Sequence, residues 1–139
     1  MQFNSELRGR CILSAEDNDV NQIVLEYTLA EQEIPFLIVD NGAEAIEAWK
    51  ELDPVLILMD ISMPIMNGIE AVHHIREVEK ITGRHVPIVA LTAHVCRGDA
   101  DRILESGADH YLSKPFNPGQ LLAKISEILS SNEASLQAC

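Results

Sequence analysis

Aromatic side chains are scarce in this sequence: Phe, Tyr and Trp make up 4% of 139 residues, although 47% of the chain is hydrophobic. A core must therefore be aliphatic. Positive charge is scarce as well. Ten Lys and Arg stand against 22 Asp and Glu, for a formal charge of −12 and a pI near 4.6. Gripping nucleic-acid phosphates takes clustered cations, so that class of partner is excluded. Binding a cation is not. The three cysteines, Cys11, Cys96 and Cys139, are far apart and form no CxxC. That excludes a disulfide framework and fits reduced thiols in a cytosolic protein. No apolar run approaches the ~20 residues that span a bilayer, and "MQFNSELRGR" lacks the apolar stretch of a signal peptide. A soluble, cytoplasmic protein without direct membrane contact is expected. Internal repeats and low-complexity linkers are missing too, and the length has room for one domain with a real core.

What is present is an alternation. "CILSA" (11–15) is a short apolar strand running into Glu16-Asp17. Val20, Ile23, Val24, Tyr27 and, less regularly, Leu29 then fall at helical spacing, with Asn18 or Asp19 placed to cap the helix. "PFLIVD" (35–40) is a second strand. Residues 42–52 read as a helix with Ala45, Ile46 and Trp49 inward. "PVLILMD" is a third strand. Gly68 to about Ile81 is a helix with Ile69, Val72, Ile75 and Val78 on one face. "VPIVALT" (86–92) is a fourth strand, and a helix from about Cys96 to Ser106 stops at Gly107. "DHYLSK" (109–114) is a fifth strand. A last helix covers about Pro118 to Leu129, and "SSNEASLQAC" reads as a frayed tail. Strands that alternate with helices imply a parallel sheet with right-handed crossovers. Their near-continuous apolar runs imply helices on both faces. The expected fold is α/β, a doubly wound five-stranded sheet with five helices. The expected division is a flank at 1–9, a domain at 10–130 and a flexible tail at 131–139.

Ligands of such sheets bind at the carboxyl ends of the strands. Glu16-Asp17, Asp60, Thr92-Ala93 and Lys114-Pro115 stand there. The puzzle is Asp60, a carboxylate closing the apolar run 55–59, where burial of a charge is costly. Carboxylates this close repel, and a divalent cation would relieve them. Mg²⁺ favours one or two carboxylates together with waters and a phosphate oxygen. Lys114 offers a point charge for a phosphoryl oxygen, and Thr92 a donor for another. Asp60, central among them, is a plausible nucleophile forming an aspartyl phosphate. For Lys114 to point back at Asp60 the chain must turn sharply, so the Lys114–Pro115 bond is expected to be cis. His73 and His74 are adjacent and cannot share a helix face, which excludes them as a metal pair.

The pieces "EDN" (16–18), "LILMDISMPIMNG" (56–68), "PIVALTA" (87–93) and "YLSKPF" (111–116), in this order and spacing, resemble a response regulator receiver domain. The resemblance covers about residues 10–130. It implies the flavodoxin-like strand order 2-1-3-4-5, which the handful of known parallel folds includes through a chemotaxis receiver. It implies that Asp60 takes a phosphoryl group from a phosphohistidine on a histidine kinase or histidine phosphotransfer protein. Asp17 and Asp60 would bind Mg²⁺ directly, Glu16 through water, and the Ser62 backbone carbonyl would complete the set. Lys114 would pair with the carboxylate and then the phosphoryl group. Thr92 would move to bond it, Ala93 would leave room, and Tyr111 would turn inward as the aromatic switch. Ser62 and His94 would tune the lifetime of the acyl phosphate. "ILSAEDNDVNQ", "ALTAH", "GDADR" and "GADHYLSKPF" are most similar to receivers of hybrid histidine kinases.

The competing function is a module that binds a kinase without needing phosphate. The complete acceptor set favours the phosphorylated receiver. An aspartyl-phosphate phosphatase is disfavoured, because Ile61 and Ser62 follow Asp60 where such enzymes resemble a DxD motif.

Overall fold

The computed structural model describes residues 3–61, 66–93 and 99–137, with no side-chain description for 99, 100 and 131–137. Five strands, β1 (Ile12–Ala15), β2 (Phe36–Val39), β3 (Leu56–Asp60), β4 (Ile88–Thr92) and β5 (His110–Ser113), alternate with five helices. The helices are α1 (Asp19–Glu31), α2 (Gly42–Leu52), α3 (Gly68–Thr82), α4 (Asp99–Glu105) and α5 (Pro118–Gln137). All strand pairs are parallel, in the order β2-β1-β3-β4-β5. No helix among the described residues is long and apolar enough to cross a membrane.

The period of two along each strand sorts the core into two layers. Leu13, Ala15, Ile57, Met59, Ile88 and Ala90 face Ala45, Val72, Ile75 and Ile103 of α2, α3 and α4. Ile12, Leu56, Leu58, Val89 and Leu91 face Leu25 and Leu29 of α1 and Leu121, Ile125 and Ile128 of α5. Full burial of each such aliphatic side chain contributes roughly 1.5–3 kcal/mol. Asn18, Asn41, Asn67 and Asn117 start α1, α2, α3 and α5. Each side chain accepts the backbone N–H three residues on. At α5 the bond is reciprocated, since Gln120 accepts from the Asn117 N–H.

Two expectations change. In α1, the helical spacing of Val20, Ile23, Val24, Tyr27 and Leu29 does not mark one buried face: Val24 and Leu29 pack on the core and the other three do not. Val20, Ile23 and Tyr27 are 67, 63 and 62% exposed, while Leu25, Thr28 and Leu29 are buried. Apolar residues lie all round this helix, so periodicity does not choose a face. The inward side carries Leu25 and Leu29 into the core and sets the amides of Asn21 and Gln22 on the end of β1. In α5, the helix continues past Leu129 to Gln137. Residues 130–137 contain neither Gly nor Pro, so nothing local stops propagation. The expected start of α4 near Cys96 lies outside the described residues, as do Cys96 and Cys139. Cys11 is fully buried, and that burial pushes its thiol above the ordinary value.

The amino end of the sheet is closed by an ion cluster. Arg76 donates to the Gly107 carbonyl at 2.8 Å, to Glu79 at 2.5 Å and to Asp109 at 2.7 Å. Glu79 also accepts the Val86 N–H at 2.8 Å, and Asp109 accepts the Ile88 N–H at 2.9 Å. His85 lies 2.6 Å from the other Asp109 oxygen. Gly107 is required, because a Cβ there would crowd Arg76 at 2.7 Å and its φ is +117°. Arg76 thus ties α3 to the starts of β4 and β5. Arg76→Met keeps most of the volume and strands Glu79, which is 5% exposed. Denaturant unfolding should show a loss of about 3 kcal/mol, partly recovered by adding Glu79→Gln.

Candidate functional site

Register brings the polar strand ends together. Ala15 pairs with Met59, so the next residues, Glu16 and Asp60, sit side by side. Asp60 pairs with Leu91, and Thr92 with Ser113, which puts Thr92 and Lys114 on the same edge. The Lys114 N–H donates to the Thr92 carbonyl at 2.7 Å. The Lys114–Pro115 bond is cis, as expected. Gly68 lets α3 start directly behind Asp60: a Cβ at 68 would overlap the Asp60 carbonyl.

Lys114 lies between two carboxylates. Its Nζ is 3.1 Å from Asp60 Oδ2, and 3.1 and 2.9 Å from Oε1 and Oε2 of Glu16. The Oε2 contact is close enough for an ion pair but lacks hydrogen-bond geometry, leaving Oε2 buried with no hydrogen bond. Glu16, Asp60 and Thr92 are buried, and Asp17 is exposed at the mouth. One oxygen from each of Glu16, Asp17 and Asp60 lies within 4.8 Å of the others. Among the described residues, three carboxylates meet one ammonium, so negative charge is in excess where water is largely excluded. A divalent cation fits this set. The donors are hard oxygens, the charge needs neutralising, and a buried carboxylate oxygen lacks a donor.

The remaining predicted positions divide. Thr92 lies two residues beyond Ala90, on the sheet face that carries α3 and α4. Tyr111 pairs with Ala90 and packs, half-buried, on that same face. Thr92 and Tyr111 are therefore joined through one layer. Ser62 and His94 lie outside the described residues. Two residues escaped the sequence reading. Asn21 donates its side-chain amide to Glu16 Oε1 at 3.2 Å. Gln22 donates to the Glu16 carbonyl at 2.5 Å and to Asp40 at 2.8 Å, joining the ends of β1 and β2. The available signal was a pair of amides in the first turn of a helix that begins right after the carboxylates.

The family described as response regulator receiver domain matches residues 12–126. Hybrid signal transduction histidine kinase I of Dictyostelium discoideum is 41% identical over 119 residues, covering 82% of this chain and 7% of the kinase. The receiver domain of Saccharomyces cerevisiae Ssk1, solved with the histidine phosphotransfer protein Ypd1, superposes with a TM-score of 0.79 at 39% identity. That match covers 87% of this chain and 89% of that one. The chain spans only 20% of the whole SSK1 protein. The receiver domain of sensor histidine kinase PA1611 from Pseudomonas aeruginosa PAO1 gives a TM-score of 0.76 at 37% identity, covering 86% of this chain and 96% of that one. It was solved with a magnesium ion in its active site cleft.

The excess of negative charge has a measurable consequence. Asp17→Asn removes one of three neighbouring charges and disturbs no ion pair among the described residues. In metal-free buffer it should raise unfolding stability by about 1 kcal/mol, the scale of one repulsion at this spacing near water. Denaturant titration would measure the gain, which should shrink at high salt.

Proposed function

The chain belongs to the response regulator receiver domain family, and on that premise we propose that Asp60 accepts a phosphoryl group from a phosphohistidine on a partner, with Mg²⁺ bound beside it. Family membership makes the chain a receiver of two-component signalling. The observation that carries the acceptor role is Lys114 bridging Asp60 and Glu16 inside a three-carboxylate cluster at the strand ends. Asp17 and Asp60 would hold Mg²⁺, with Glu16 acting through water and the Ser62 carbonyl completing the protein ligands. Bound there, the ion neutralises the carboxylates and the phosphoryl oxygens.

An Asp60 carboxylate oxygen attacks phosphorus, and the P–N bond to the partner's imidazole breaks with its electron pair left on nitrogen. The product is an acyl phosphate. Lys114, already 3.1 Å from Asp60 Oδ2, turns to a phosphoryl oxygen. Its fixed charge sits where negative charge gathers. The Thr92 hydroxyl swings to donate to another oxygen, with Ala93 leaving it space. A charge-assisted bond of this kind is worth roughly 1.5–3 kcal/mol. That is enough to shift a two-state loop about tenfold to a hundredfold. Tyr111 fills the space Thr92 vacates, and the signal leaves through α4, β5 and α5. His94 and Ser62 set the lifetime of the acyl phosphate. Turnover is self-limited, so the domain is an acceptor and not an enzyme in its own right.

The partner is a histidine kinase or histidine phosphotransfer protein, and the hybrid-kinase subtype and a cytoplasmic location complete the proposal. Val20, Ile23 and Tyr27 form an exposed apolar stripe on α1, the helix that begins at the mouth of the site. A partner seated on that stripe would bring its histidine to Asp60.

Intact mass after incubation with a small phosphodonor and Mg²⁺ should show one added phosphoryl group, and none in Asp60→Asn. Wild type that stays unlabelled would favour the phosphate-independent binding module, and continuous donor consumption a phosphatase. Thr92→Ala should still be labelled, but with a beryllofluoride mimic the amide shifts near Tyr111 should fall well below those of wild type. Ile23→Asp should slow transfer from a phosphotransfer partner at least about tenfold and leave labelling by the small donor unchanged. Equal slowing of both reactions would remove α1 as the docking face.

A further inference from the structure

The Glu16 carboxylate is held asymmetrically. Oε1 accepts from the Asn18 N–H at 3.3 Å, the Asn21 amide at 3.2 Å and Lys114 at 3.1 Å. Oε2 is buried, has no hydrogen bond, and lies 2.9 Å from the Lys114 ammonium. A carboxylate oxygen has acceptor sites for about two donors, so Oε1 is saturated and Oε2 is the one left for a further donor. Two of the three donors to Oε1 come from the start of α1. The Asn18 N–H is fixed at the start of α1, and the Asn21 amide is carried one turn further along the same helix. Lys114 is the donor that must be shared with Asp60.

We propose that Asn21 is a positioning residue of the acidic pocket: its amide locks the Glu16 carboxylate with Oε1 turned to α1, so that Oε2 is presented to the water shell of the cation. The proposal rests on the Mg²⁺ reading of the pocket. Groups that orient a metal's surrounding acceptors set affinity without touching the ion. The amide has a second effect. A neutral donor on Oε1 shares the buried Glu16 carboxylate with Lys114, which therefore remains within reach of Asp60. Without Asn21, Glu16 depends on Lys114 and the Asn18 N–H alone, and its carboxylate is free to rotate. The α1 cap survives such a change, because the cap uses the backbone N–H of Asn21 and not its side chain.

The test is Mg²⁺ titration by calorimetry on the full chain, with melting in metal-free buffer run in parallel. Asn21→Leu, similar in shape and without a donor, should weaken Mg²⁺ binding about tenfold. Asn21→Gln, which keeps an amide on a longer stem, should recover much of that loss. Rescue by the amide separates positioning from a change in helix stability, because Leu and Gln are comparable helix formers. Asp17→Ala supplies the control for the pocket itself. If Asp17→Ala loses Mg²⁺ binding while Asn21→Leu binds like wild type, the metal reading stands and the role of Asn21 falls. If Asn21→Gln is as weak as Asn21→Leu, the amide is not the cause and the proposal is overturned. If wild type ignores millimolar Mg²⁺, both fall together.

Discussion

One ammonium organises the carboxyl edge of this sheet. Lys114 reaches from the end of β5 across to Glu16 and Asp60, so three strand ends are tied through one charge. The register of β3, β4 and β5 places Lys114 on the same edge as Asp60. Among the described residues, a single positive charge holds the buried carboxylates in place without neutralising all of them. The pocket is therefore stable enough to form and still short of positive charge. That remaining deficit suits a cation and, with it, a phosphoryl group.

The opposite edge solves the same electrostatic problem to completion. Arg76 spreads its guanidinium over Glu79, Asp109 and the Gly107 carbonyl, while backbone N–H groups of Val86 and Ile88 fill further acceptor sites. A planar fork of five donors can satisfy several fixed acceptors at once, which a lysine cannot. Arg at the amino edge and Lys at the carboxyl edge are thus matched to different tasks. One closes a network for good. The other is a compact charge on a long stem that can move from one oxygen to another. The Arg76 network also anchors the approach to β5.

Helix α1 serves both halves of the proposed chemistry. Its inward face carries Leu25, Thr28 and Leu29 into the core and Asn21 and Gln22 onto the end of β1. Its outward face leaves Val20, Ile23 and Tyr27 in solvent. Burying that stripe on a partner would remove apolar surface from water, a favourable step that needs no rearrangement of the core. The helix that would seat the partner is the helix that grips Glu16.

The sequence by itself determined the alternation of strands and helices, because buried parallel strands need unbroken aliphatic runs and the helices between them repeat their apolar residues at a longer period. It also determined the acidic and basic residues of the site, since a charge closing an apolar strand has few other uses. Asp60 and Lys114 were legible for that reason, and the sharp turn at Pro115 followed from what Lys114 must reach. Tertiary structure alone decided which face of α1 turns inward. Apolar residues surround that helix, so local spacing leaves the face open until docking buries Leu25 and Leu29 and sets the amides of Asn21 and Gln22 on a strand end. It alone decided that Asn21 and Gln22 belong to the pocket, because an amide five or six residues past a carboxylate meets it only after the helix has docked. The Arg76 network was hidden for the same reason. Its members come from α3, the start of β4 and the start of β5, and a long-range ion cluster leaves no local pattern in the chain.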